Sequence, residues 1–113
     1  MKAIKPLTAI ILIVMLFTAT VYAEKWYVGG TLHNATVQEW KHASYRNRLA
    51  TCADYLSSTS EGEKLEREEG VDAIKMRAMD LERCITEATE GEHEANLRVS
   101  QMAAICIVLI RHQ

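Results

Sequence analysis

The chain has 113 residues, of which 49% are hydrophobic and 25% charged, with a formal net charge of −2. That length bounds it to one domain near the small end of what folds alone, and the acidic balance removes any electrostatic case for a nucleic-acid partner. Lys41, Arg46 and Arg48 form the nearest basic cluster, which is too sparse for phosphate recognition and reads as one solvated helix face.

Residues 1–23 have the grammar of a secretory signal peptide. Lys2 and Lys5 supply a positive start, residues 7–21 are apolar apart from three threonines, and Val21-Tyr22-Ala23 supplies a cleavage site before Glu24. About 15 apolar residues fall short of the ~20 that a membrane span needs, with an uncleaved inner-membrane anchor as the alternative. No cysteine closely follows the apolar stretch, which speaks against a lipid anchor. The expected mature domain is therefore residues 24–113, with 11 basic against 15 acidic side chains. It belongs in the periplasm or outside the cell.

Residues 26–56 dominate the rest. Trp26 and Tyr27 lead to Gly29-Gly30, a pair that permits backbone angles other residues resist, so a turn belongs there. Thr36 and Glu39 match a capping box, with Asn34 as the other candidate N-cap and Leu32 placed to staple the first turn. The pattern predicts a first helix over residues 35–57. Tyr45, Leu49, Cys52, Ala53 and Leu56 recur at steps of three and four and form its expected core face, with Trp40 to one side covering the lead.

Ser57 to Ser60 reads as a break, and Ser60 with Glu63 offers a second capping box. A second helix is expected over residues 61–90, with Gly70 marking a kink or short break. Its first part is acidic. From Val71 the pattern sharpens through Ile74, Ala78, Leu81, Ile85 and Ala88, and Gly91 supplies the stop. The third helix is expected over residues 92–112. It contains nine consecutive apolar residues, Met102 to Ile110, too few to cross a bilayer. A helix buried on most sides, or one contacting a second subunit, accounts for that run. Short connections then favour an all-α fold, a small antiparallel three-helix bundle.

Three cysteines, Cys52, Cys84 and Cys106, suit one disulfide and one free thiol, and their spacings match neither a zinc ligand pair nor a CxxC motif. If helices one and three run parallel, Cys52 and Cys106 are nearly level, while Cys84 with Cys106 would close the last hairpin. Spacing leaves both pairings open.

WYVGGTLHNAT, followed by NRLATCADYL, resembles a set of small exported bacterial proteins, most of them functionally uncharacterised, that carry WYxGGTLHxAT and then NRLATxADW. The similarity covers residues 26–56 and continues more loosely through Cys84-Ile85 and the run around Cys106. Such proteins often have Ala where this chain has Cys52. The resemblance therefore implies a Cys84–Cys106 bridge with Cys52 spare, along with export and a helical fold, and it brings no activity with it.

No residue pattern points to catalysis, a cofactor or a bound metal. His33, His42 and His93 lack the further ligands a metal site requires, and no nucleophile–base pair or phosphate-binding Gly-rich loop is present. The acidic run Glu61 to Glu69 reads as a solvated helix relieved by Lys64 and Arg67. Trp26, Tyr27, His33 and Trp40 are the candidate interaction residues, because aromatic side chains anchor interfaces as well as closing small cores. The sequence thus favours a non-enzymatic exported protein that binds another protein or the envelope, with the apolar helix as a possible homodimer contact. An acid-stress holdase and a periplasmic inhibitor or immunity protein are the alternatives from other classes.

Overall fold

The computed structural model describes residues 25–91 and 96–111. The expected signal peptide, Glu24, the Glu92-His93-Glu94 stretch and His112 lie outside the described residues.

Thr36, in extended conformation, is the first N-cap, and both halves of the capping box form. Its hydroxyl accepts from the Glu39 N–H at 3.2 Å, and its own N–H donates to Glu39 Oε1 at 3.0 Å. The resulting helix, α1 (Val37–His42), is short. Ala43 and Ser44 leave helical geometry, and the Ser44 side chain accepts from the Asn47 N–H to start α2 (Tyr45–Ser57). The single helix expected over residues 35–57 is therefore two. A serine hydroxyl that captures a nearby backbone N–H competes with the helix ladder, and the bend lets Trp40 turn fully inside.

Thr59, not Ser60, caps the next helix, α3 (Ser60–Glu69), by accepting from the Gly62 N–H. Gly70 then takes φ +92°, a conformation side chains resist, and the chain passes through a 3₁₀ turn (Val71–Ile74) into α4 (Lys75–Ala88). The expected break at Gly70 is thus a full separation of two helices. The last helix, α5 (Val99–Arg111), is shorter than the 92–112 expected.

The fold is all-α. Arg48 beside Glu82, and Leu56 sharing a wall with Ile74, set α2 antiparallel to α4. Cys84 bonded to Cys106, and Ile74 and Arg77 alongside Ile107 and Ile110, set α5 antiparallel to α4 on its other side. A central α4 flanked by α2 and α5 is the expected three-helix arrangement, with α1 and α3 as additions. Ile74, Ala78, Leu81 and Ile85 supply the fully buried face of that centre, and Ala88 is exposed. Against it lie Leu49, Cys52 and Leu56 from α2 and Val99, Ala103 and Cys106 from α5. An isolated antiparallel bridge between Thr36 and Arg98 ties the starts of α1 and α5, with Val37 N–H donating to Leu97 O and Val99 N–H to Ala35 O.

Two core expectations need correction. Tyr45 is 48% exposed at the first position of α2, because the buried Trp40 of α1 takes the place beside Thr86 of α4. The apolar run of α5 is buried on one side only. Met102, Ala103 and Cys106 face inward, while Ile105, Val108 and Leu109 face outward, since α4 is its principal helical neighbour.

Candidate functional site

The lead, residues 25–36, lies along one face of α2 and is fastened to it side chain by side chain. Thr31 N–H donates to Asn47 Oδ1 at 2.9 Å, and Asn47 Nδ2 returns a bond to Thr31 Oγ1 at 2.9 Å. Leu32 N–H donates to Thr51 Oγ1. The His33 ring meets Asp54 through Nε2 at 2.7 Å, and the Tyr55 hydroxyl donates to the His33 carbonyl at 2.7 Å. Asn47, Thr51, Asp54 and Tyr55 are spaced i, i+4, i+7 and i+8, so a single helix face presents all four. Gly30 makes the approach possible. A Cβ there would stand 2.6 Å from the Thr51 nitrogen and 2.8 Å from the Ala50 carbonyl carbon. Gly29, at φ +92°, makes the preceding turn.

Each half of the WYxGGTLHxAT and NRLATxAD pattern is therefore the other half's binding partner. Trp26 follows the same logic at the open end. Its ring packs on the core edge, its Nε1–H donates to Asp72 at 2.9 Å, and Lys75 lies 5.8 Å above the ring. Tyr27 stacks edge-on to Trp26. His33 meets Tyr55 in the same edge-on manner.

A second polar group sits deeper. The Trp40 indole is fully buried and donates to Thr86 Oγ1 at 3.1 Å, and Thr86 donates to Glu82 Oε1 at 2.8 Å. The same carboxylate oxygen accepts from Arg48 Nε at 3.0 Å, while Arg48 Nη1 caps the Ala43 carbonyl left free between α1 and α2. The pair is largely buried, with side-chain exposures of 18% and 8%. Expected as a side cover for the lead, Trp40 is instead the anchor that binds α1 to α4. Arg48, read with Lys41 and Arg46 as a solvated face, points inward. Sequence reasoning gave no role to Glu82 or Thr86. Their i, i+4 spacing on α4 was the available signal, though nothing local distinguishes it from an exposed pair.

The disulfide is Cys84–Cys106, with Cα atoms 5.9 Å apart, and Cys52 is a buried free thiol. Burial, then the nearby Glu82 charge, pushes the Cys52 thiol far above its ordinary range. It is a core residue without thiolate reactivity. Tyr55 is pushed up to about 12 by burial and by Cys52. Glu39 is lowered by the Thr36 backbone and side-chain hydrogen bonds.

Several other polar and charged side chains pair at the surface. His42 Nδ1 meets the Gln38 carbonyl, Glu66 accepts from Ser57, Glu63 pairs with Arg67, and Glu61 reaches Arg111. Among the described residues no group of three or more His, Cys, Asp or Glu converges as metal ligands, and no buried side-chain nitrogen or oxygen lacks a partner. The space enclosed by Leu56, Ile74 and Ile110 is about 10 Å³, barely the room one water needs.

One surface is left unspent. Ile105, Val108 and Leu109 are 64%, 50% and 56% exposed and share a face of α5 by their i, i+3 and i+4 spacing. Beside them runs a shallow groove of about 330 Å³ between α4 and α5, walled by Asp80, Arg83, Cys84 and Glu87 on one side and Leu109 and Ile110 on the other. Among the described residues no helix is long and apolar enough to cross a membrane. The fold and its cross-link define a small disulfide-linked helical bundle. No family model, curated protein or solved structure matches the chain.

Proposed function

We propose that this is an exported protein that acts without catalysis, by contact with another protein or an envelope component through the outward face of α5. The observation that carries this reading is the contiguous exposure of Ile105, Val108 and Leu109. Single exposed apolar residues such as Val28 and Met76 are ordinary on a protein surface, whereas a contiguous apolar face beside a groove marks an interaction site. Of the four candidates suggested by sequence, Trp26, His33 and Trp40 spend their polar groups inside the fold and support a structural role, and Tyr27 stacks on Trp26. Export is supported by the apolar stretch at residues 7–21 with its Val21-Tyr22-Ala23 end, and by a disulfide of the kind that persists in oxidising compartments.

Two measurements test this. Intact mass of the protein recovered from its native host should begin at Glu24 and show one bridge and one thiol that alkylates once the chain is denatured; a full-length mass with three free thiols would overturn export. A photo-crosslinking residue at Val108 should give discrete adducts in the living cell that the same residue at Arg46 does not. Equal labelling from both positions would remove α5 as the contact face.

A further inference from the structure

Resting on that reading of α5, we propose that the partner it receives is a second copy of this chain, in a two-fold dimer that lays the two α5 helices against each other. Three features on one patch carry this. First, the patch holds both a ridge and a groove: Ile105 and Leu109 stand out at i and i+4, and the groove between α4 and α5 opens beside them. A two-fold interface needs the same patch to act as donor and receiver of side chains, and adjacency of the two supplies that.

Second, the ridge carries no charge. From Val99 to Ile110 α5 has no ionisable side chain except the bonded Cys106, so two copies meet without like-charge repulsion at the centre. Third, the α4 wall of the groove alternates in sign. Asp80, Arg83 and Glu87 lie at i, i+3 and i+7, giving a row that reads negative, positive, negative. Arg83 reaches Asp80 of its own chain only at 3.7 Å and stays exposed. A two-fold axis reverses the partner's row without changing its order of signs, and a shift of one place brings each Arg83 opposite Glu87 of the other copy. An anionic bilayer would instead be repelled by Asp80 and Glu87, so the rim favours a second copy over a lipid surface.

The ridge covers little more than one turn of helix, well under the ~800 Å² per partner of a standard stable interface. Association is accordingly weak and concentration-dependent.

Sedimentation equilibrium of the oxidised, exported protein from about 5 µM to about 1 mM tests it. The wild-type chain should pass from monomer to dimer. Val108→Asp should weaken association more than about tenfold, with helical CD and thermal midpoint unchanged. Arg83→Glu and the Asp80→Lys/Glu87→Lys double variant should each self-associate less than wild type, and an equimolar mixture of the two should recover a heterodimer. A wild-type chain that stays monomeric throughout would overturn the dimer. If the photo-crosslinker at Val108 still captured a different molecule in cells, the contact face itself would stand. Val108→Asp dimerising like wild type, or a mixture of charge variants that does not pair, would also overturn the proposal. So would a monomer that binds phosphatidylglycerol vesicles through Val108, which would assign the face to the membrane.

Discussion

The seam between the lead and α2 and the outward face of α5 are opposites. Along the seam, Thr31, Leu32, His33, Asn47, Thr51, Asp54 and Tyr55 are used up in mutual hydrogen bonds, and Gly30 has no room for a side chain. On α5, Ile105, Val108 and Leu109 project into solvent. The stretch richest in recognisable residue pattern is thus the one most committed to holding the fold. The stretch with the plainest composition holds the free surface. A conspicuous motif in a small domain is as readily a folding constraint as a binding site, and only the partners of each side chain decide between them.

Substitutions break this comparison if the two regions respond alike. The largest effect is expected in the buried polar group that joins α1, α2 and α4. Glu82→Ala leaves Arg48 and Thr86 without their acceptor and should cost about 3–5 kcal/mol in urea unfolding. Replacing both Cys84 and Cys106 by Ser releases a loop of sequence separation 22. It should cost about 3 kcal/mol, a fall of roughly 15 °C in Tm, with the α5 face intact at low temperature.

Gly30→Ala asks the seam directly. The added methyl meets helix backbone rather than a flexible side chain, so the lead must lift. A loss of about 1–3 kcal/mol is expected, with increased protease access to the residues before Thr31. A stability unchanged from wild type would show that the lead is not fastened as described. Tyr55→Phe sharpens the comparison through pH. The tyrosine's folded value, about 12, lies above its usual ~10. Its contribution is therefore fully present below pH ~10 and is lost as pH rises through 12. The variant should flatten that alkaline loss, seen in melts between those pH values. The smallest effect belongs to α5: Val108→Asp should shift stability by less than about 0.5 kcal/mol.

Several elements were legible from residues alone. The Thr36–Glu39 capping box, the interruption at Gly70 and the apolar steps of Ile74, Ala78, Leu81 and Ile85 are local or periodic signals, and each appears where the pattern places it. The split between α1 and α2 was less legible. Ser44 is one of many serines that a helix tolerates, and its role as an N-cap depends on Trp40 and Arg48 finding partners on α4 and on the freed carbonyl of Ala43. The cysteine pairing was open on spacing, since α5 does run parallel to α2. Resemblance pointed to Cys84, and the packing of α5 against α4 makes that the bond that forms.

By itself, then, the sequence determined an all-α chain, the first capping box, the break at Gly70 and which face of α4 is the core, because backbone hydrogen bonding and apolar periodicity act over a few residues. Tertiary structure decided which polar residues of α2 receive the lead, why Trp40 is an anchor rather than a cover, and which side of α5 stays open. Those outcomes depend on contacts between residues 16 to 46 positions apart, where the energy of each pairing exists only after the helices have met.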